Sequence, residues 1–490
     1  MDCSVIEFDS SMRAPSARGR WVPWLTRSAF TVGALLVLGA CGDDDTLFDA
    51  PVYDTAHVQA GGSTTVNHYP GLPYDAPARD LKTPALATFA AGQAVFEQVW
   101  QVAPETPAAI GTAHSSRLGL GPLYNADSCA ACHPRNGRGS VAGIGLLLRL
   151  SRPLTADGTR FAPDPVYGEQ LQHRAVPGLA IEASMRRTWR QREEQLADGS
   201  TVTLREPFYQ VESWNWGDPD RETSWSARLA PALIGLGLLE AIPDAAILAE
   251  ASSQSERKDK ISGQPSWVLE LRSGQLRLGR FGWKAQHPTV EQQVANALQQ
   301  DIGLSTIIYP ASVCTPAQTA CHRGVQQSGA EQIEVPRKVL DELVYYARHI
   351  AVPAPRNVND IMFQRGRLQF HRAGCAACHR PSWTTEAPPG GVSQKIWPFT
   401  DLLLHDLGSG LAAPNGEGDV AGVQWRTAPL WGIGLALAAN PETGFLHDGR
   451  ARTLLEAVLW HGGEAQAASD AVRQMSAEER DSLLTFLRSL

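Results

Sequence analysis

Two five-residue segments, Cys129-Ala-Ala-Cys-His133 and Cys375-Ala-Ala-Cys-His379, constrain this chain more than any other feature in it. Two thiols at this spacing can add across the vinyl groups of a haem, and the His that follows is thereby set under the iron as proximal ligand. A four-cysteine zinc site would leave both histidines idle. A thioredoxin-like motif would need a βαβ context that neither copy has. The segments therefore predict two covalently bound haem c groups, attached at Cys129, Cys132, Cys375 and Cys378, with His133 and His379 on the irons.

The chain has eight cysteines. Cys314 and Cys321, followed by His322, lie too far apart for haem attachment. They predict a local disulfide, whose short loop is worth about 2.5 kcal/mol in chain entropy. Cys3 and Cys41 belong to the N-terminal region, where Arg13, Arg18, Arg20 and Arg27 precede an apolar run from Ala29 to Ala40. That run is too short to span a bilayer and has the flanks of a secretory signal. Its end, Leu38-Gly-Ala-Cys41, resembles the bacterial lipobox, so residues 1–40 are expected to be a signal peptide and Cys41 the lipidated first residue of the mature protein. Met12 is an alternative start. Gly42, rather than Asp, after the lipid-bearing residue points to the outer membrane, facing the periplasm. Residues 41–84 are polar and rich in helix breakers, as a flexible tether would be. Net charge is −8, and no Lys/Arg cluster interleaves with aromatics, which excludes the footprint of a nucleic-acid binder.

The chain also repeats itself. Gly92-x-x-x-Phe96 precedes the first haem motif and Gly366-x-x-x-Phe370 the second. Arg228-Leu-Ala-Pro231 is answered by Arg426-Thr-Ala-Pro429, and Phe281-Gly-Trp283 leading to Thr289 is answered by Phe445-Leu-His447 leading to Thr453. A duplicated haem module follows, with residues 85–352 as an N-terminal haem domain carrying insertions and residues 353–490 as a C-terminal cytochrome c domain. Apolar residues at helical spacing from Val339 to Ile350, and the Ser476/Glu479 capping box before Leu483, Leu484 and Leu487, mark the closing helices. The expected class is mainly α: two cytochrome c-like helical modules, the first enlarged by loops, Thr201 to Arg205, and a small β-hairpin, Trp267 to Leu271 with Gln275 to Leu278.

The phrases Asn125-Ala-Asp-Ser-Cys-Ala-Ala-Cys-His133, Gly235-Leu-Gly-Leu-Leu-Glu-Ala-Ile242, Leu278-Gly-Arg-Phe-Gly-Trp-Lys-Ala285 and Phe445-Leu-His-Asp-Gly-Arg-Ala-Arg-Thr453 resemble the bacterial di-haem oxidoreductase family. Its members are labelled peroxidase or thiol oxidoreductase. More distantly, the layout is similar to di-haem cytochrome c peroxidases and to the maturase of methylamine dehydrogenase. The resemblance implies a peroxidase-like enzyme in which electrons from a periplasmic donor protein or small redox carrier enter at the C-terminal haem. They would pass to a reactive N-terminal haem, which reduces peroxide or oxidises a bound substrate. It further implies His461 as second ligand of the C-terminal haem, with His405 and His447 left open as alternatives. Trp283 would carry charge between haems, Gln293 would orient peroxide and Asp301 would act as acid/base. No His lies between Pro134 and Gln172, so the first iron is expected to be open, with His173 and His287 as the remaining candidates for its far side. The alternative is a non-catalytic electron carrier with both irons closed. The thiol-oxidoreductase label has no support, since no cysteine remains for dithiol exchange. Calcium is not assigned, because Ser255-Glu-Arg-Lys-Asp-Lys260 is basic where the family has an acidic loop.

Overall fold

Glycines set the two helix pairs around which the chain is built. In the computed structural model, the helix Ala85–Glu97 packs on Arg337–His349 and the helix Ile361–Arg372 on Ala477–Ser489. A Cβ on Gly92 would overlap the Glu342 carbonyl, and one on Gly366 the Ser482 carbonyl. Only glycine lets backbones approach this closely. Each pair buries its aromatics, Phe89 and Phe96 against Tyr346 and Phe363 and Phe370 against Phe486. The final helix carries the expected capping box between Ser476 and Glu479. One core cluster runs through both pairs. The structure describes residues 52–67, 74–102, 118–322, 333–387 and 392–490, all within one compact unit, Leu47–Leu490.

The mainly α expectation is overturned. With 32% of the chain helical and 19% in strands, spread over several small antiparallel sheets, the fold is mixed. The largest strands are Ser184–Gln195 and Thr201–Glu212, paired along their whole length from Ser184↔Glu212 to Gln195↔Thr201. The first reads as charged surface, with Arg186, Arg187, Arg190, Arg192, Glu193 and Glu194, and gives little apolar alternation. What closes the pair is the turn at Asp198-Gly199, where Asp198 Oδ1 accepts from the Ser200 N–H and Gly199 takes φ +82°, an Asp-Gly hairpin signal. A second sheet places Leu146–Pro153 between Phe161–Ala162 and Ser224–Leu229. The expected Trp267–Glu270/Gln275–Leu278 hairpin forms, with Gly274 at φ +70° in its turn.

Residues 52–67, read from sequence as tether, pack instead on the C-terminal half. His57 is buried among Phe363, Trp397 and Phe399, and the Trp397 N–H donates to the Ala60 carbonyl. Among the described residues no helix is long and apolar enough to cross a membrane.

Candidate di-haem site

Each Cys-Ala-Ala-Cys segment folds as a single helical turn. The first, Cys129–Cys132, is capped by Ser128, whose Oγ accepts from the Ala131 N–H at 3.3 Å. The second follows Gly374, which adopts φ +82°. The four thiols are free. His133 presents Nδ1 to the Pro231 carbonyl at 2.8 Å, and His379 presents Nδ1 to the Phe399 carbonyl at 3.0 Å. In each ring Nδ1 carries the proton and Nε2 keeps its lone pair, as an iron-binding imidazole requires. Burial pushes both imidazoles down to about 4, so both are neutral.

His461 stands across from His379. Its Nδ1 is 2.7 Å from the Ala457 carbonyl, which again leaves Nε2 available, and the two ring centroids are 6.5 Å apart. Two metal–imidazole bonds of roughly 2 Å each, plus the two ring radii, come to roughly 6 Å. The pair therefore fits one iron between them. His405 and His447 are engaged elsewhere. His405 is buried between carboxylates, with Nε2 2.8 Å from Asp401 and Nδ1 2.8 Å from Glu464. Burial works against its charge, but those partners and Cys378 prevail and raise its pKa to about 12. An imidazolium with both nitrogens occupied cannot ligate. His447 lies flat on Trp425, with centroids 3.8 Å apart.

Around His133 the chain forms a cavity lined by Cys129, Cys132, Trp283, His287, Gln293 and Asp301 among others. Trp283, Gln293 and Asp301 thus share one wall system with the first haem motif. Thr289 caps the helix Val290–Ala297 that carries Gln293, and a π-helical turn, Leu298–Ile302, carries Asp301. Such turns recur at functional sites. Asp301 Oδ1 accepts from Gln170 Nε2 at 2.8 Å, and its carbonyl accepts from the Asn125 and Ala126 N–H groups that lead into the motif. Burial raises its carboxyl to about 6, against the pull of Gln170 and Arg149. Gln293 Oε1 and His287 Nδ1 are buried without a hydrogen-bond partner. Orphaned polar atoms facing an apolar chamber fit a site built for a polar ligand beside a macrocycle. Trp283 donates from Nε1 to the Leu229 carbonyl at 2.8 Å. His173 is tied to Asn125 instead, 2.7 Å from its Nδ2.

Sequence reasoning missed two arginines of this cavity. Among the described residues, the side chain of Arg138 bonds only to the Gly444 and Leu446 carbonyls, and that of Arg426 only to those of Gly282 and Thr427. Both are buried, and burial pushes each down to about 10. Guanidinium groups without a carboxylate partner suit the acid side chains of a haem. The repeated Arg-x-Ala-Pro phrase was the available signal for Arg426; nothing singled out Arg138. Away from the cavity, Cys314 and Cys321 are joined as a disulfide. Cys41 and the segment before it lie outside the described residues.

The chain matches the family described as "Di-haem oxidoreductase, putative peroxidase" over residues 54–490. No curated relative matches it. Among solved structures it is similar to a chain of Kuenenia stuttgartiensis hydrazine synthase, at 18% identity and a TM-score of 0.24, over 36% of this chain and 63% of that one. That match spans less than two thirds of the other chain, and at this score it carries no argument about fold. The two attachment motifs, the facing imidazoles and the family match over nearly the whole chain lead to one assignment: the chain belongs to the di-haem oxidoreductase family.

Proposed function

We propose that this oxidoreductase binds two haem c groups covalently, at Cys129/Cys132 and Cys375/Cys378, and uses them as a peroxidase. The observation that carries this reading is an asymmetry between the two motifs. His379 faces a second imidazole at ligating distance. His133 instead opens on a cavity holding an orphaned amide oxygen and a carboxylate held near 6. Bound at these motifs, haem iron would supply electron exchange and a coordination position for peroxide oxygen. His379 and His461 would close the C-terminal iron, as suits an entry point for electrons from a periplasmic donor. Gln293 would orient the peroxide, and Asp301 would move a proton from its inner to its outer oxygen, a task that asks for a group poised near neutral pH. Trp283 would pass charge between the sites. Cys41, as a lipid-bearing residue, would hold the protein at the outer membrane, facing the periplasm.

A second reading, an electron carrier with both irons closed, is favoured by His287 alone. It lines the cavity, and its Nδ1 has no partner. Electron paramagnetic resonance of the oxidised and half-reduced protein, with and without peroxide, separates the two readings. The expected result is one low-spin signal that is lost in His461→Ala, and one high-spin signal that responds to peroxide. Two low-spin signals, both indifferent to peroxide after half-reduction, would establish the carrier.

A further inference from the structure

Trp283 is the first of three rings in contact. Its indole meets the His447 imidazole edge-on, 6.5 Å between centroids. His447 in turn stacks on Trp425, 3.8 Å away with 14° between planes. An oxidising equivalent on Trp283 therefore has a second indole within reach, leading away from the cavity.

The two indoles differ in their charge surroundings. Lys284 Nζ lies 3.9 Å from the centre of the Trp425 ring and Arg228 Cζ lies 4.6 Å from it. The cation over Trp283, Arg138, is 5.5 Å away. The hydrogen bonds around Lys284 select its ammonium form. It donates to the carbonyls of Ala421, Gly422 and Gln424 at 2.8, 2.9 and 2.6 Å, and three acceptors match the three N–H groups of the charged form, where the amine has two. Burial, with Arg228 adding to it and Glu417 opposing, holds its pKa well below the usual lysine value, and it is the three carbonyls that retain the proton. Glu417 is shared between Arg228 and Arg149, so it does not cancel the three cations around it. The indole N–H groups differ as well. That of Trp283 has a carbonyl acceptor, whereas that of Trp425 has none. An electron taken from Trp425 would leave a radical cation that two nearby positive charges repel, with no acceptor to draw off its proton.

We propose that Lys284 and Arg228 close Trp425 to oxidation and so confine the oxidising equivalent to Trp283. The proposal rests on the peroxidase reading. Peroxide takes up two electrons and two protons to give two waters; one electron comes from the C-terminal site, the other leaves the Trp283 indole as a radical cation, and a further electron from the C-terminal site then refills the indole. If the C-terminal site supplies no electron, peroxide draws both of its electrons from the indole: water adds to the radical cation, the second electron and two protons pass to peroxide, and the indole gains one oxygen, so that Trp and peroxide give oxidised Trp and water.

That oxygen is the readout. Di-haem holoprotein treated with excess hydrogen peroxide is digested and each Trp mapped by mass spectrometry, for the native chain, Lys284→Met, Lys284→Arg and Trp283→Phe. Native protein should gain oxygen at Trp283 and roughly tenfold less, or lower still, at Trp425. Lys284→Met should raise the Trp425 yield severalfold, Lys284→Arg should restore the native pattern, and Trp283→Phe should leave Trp425 unmodified. Equal modification of both indoles in native protein, Trp425 oxidation in Trp283→Phe, or an unchanged Trp425 yield in Lys284→Met while Trp283 is modified, each overturns the proposal. The native and Trp283→Phe arms decide it even if Lys284→Met does not fold. Peroxide consumed in the absence of an electron donor with neither indole modified overturns the proposal alone, whereas peroxide left unconsumed with neither indole modified removes the peroxidase reading, and the proposal with it.

Discussion

At the scale of single residues, the site depends on groups whose ionisation is set by burial. Asp301 is the clearest case, with its carboxyl raised from 3.8 to about 6. A base must be deprotonated to accept a proton, so peroxide turnover should rise with pH through a limb centred near 6. Asp301→Asn should remove that limb and lower turnover by roughly 10²–10⁴-fold. Stability moves in the opposite direction. The folded chain holds the proton more tightly than the unfolded chain does, so this group's contribution is fully present below about 4 and is lost as pH rises to about 6. Asp301→Asn, which cannot ionise, should escape the loss. Thermal unfolding at pH 5 and pH 7 checks this: if the variant loses as much stability as native protein between those values, the burial argument fails. Neutral His133 and His379 and charged His405 follow from the same principle with different partners. Two of these rings have one nitrogen on a carbonyl and one free, while the third has a carboxylate at each end.

At the scale of elements, each half is built on one close helix contact. The Cβ introduced by Gly366→Ala would overlap the Ser482 carbonyl and meet the Phe486 Cβ. The backbones must then separate, at a cost of about 1–3 kcal/mol, typical of overpacking. Gly92→Ala, against Glu342 and Tyr346, should cost a similar amount, whereas Gly158→Ala, with nothing within 4 Å, has only its φ of +65° to overcome. Denaturant midpoints for the three variants give the comparison, and the prediction fails if Gly158→Ala proves as costly as Gly366→Ala. The helices were legible from sequence because their apolar spacing and caps are local. The Ser184–Gln195 strand was not, because its outward side chains are mostly charged and its pairing is what makes it a strand. Strand preference reflects the neighbouring strand more than the residue itself.

At the scale of the whole molecule, both motifs are expected to carry haem. A pyridine haemochrome assay should give two haems per chain that resist extraction by acidified acetone, and His461→Ala should retain both, since attachment is through the cysteines. One haem per chain, or extractable haem, would contradict the covalent reading. The halves also meet at the first site. Arg138 reaches the carbonyls of Gly444 and Leu446, and Arg426 reaches that of Gly282, so each half supplies part of the wall around Trp283.

The sequence by itself determined where haem attachment is expected, because two thiols and an imidazole on one helical turn need nothing beyond their spacing. It also determined the closing helices, through glycines, caps and apolar spacing that act over a few residues. Tertiary structure decided that His405 is held between two carboxylates and that His447 lies on Trp425, while His461 faces His379. It decided that Trp425 lies under two cations, and that Arg138 meets backbone carbonyls rather than carboxylates. Those outcomes depend on burial and on partners hundreds of residues away, as with Arg138 and Leu446, and no local pattern encodes such distances. The fold class fell on the same side, since charged strands become a sheet only when the chain brings their edges together.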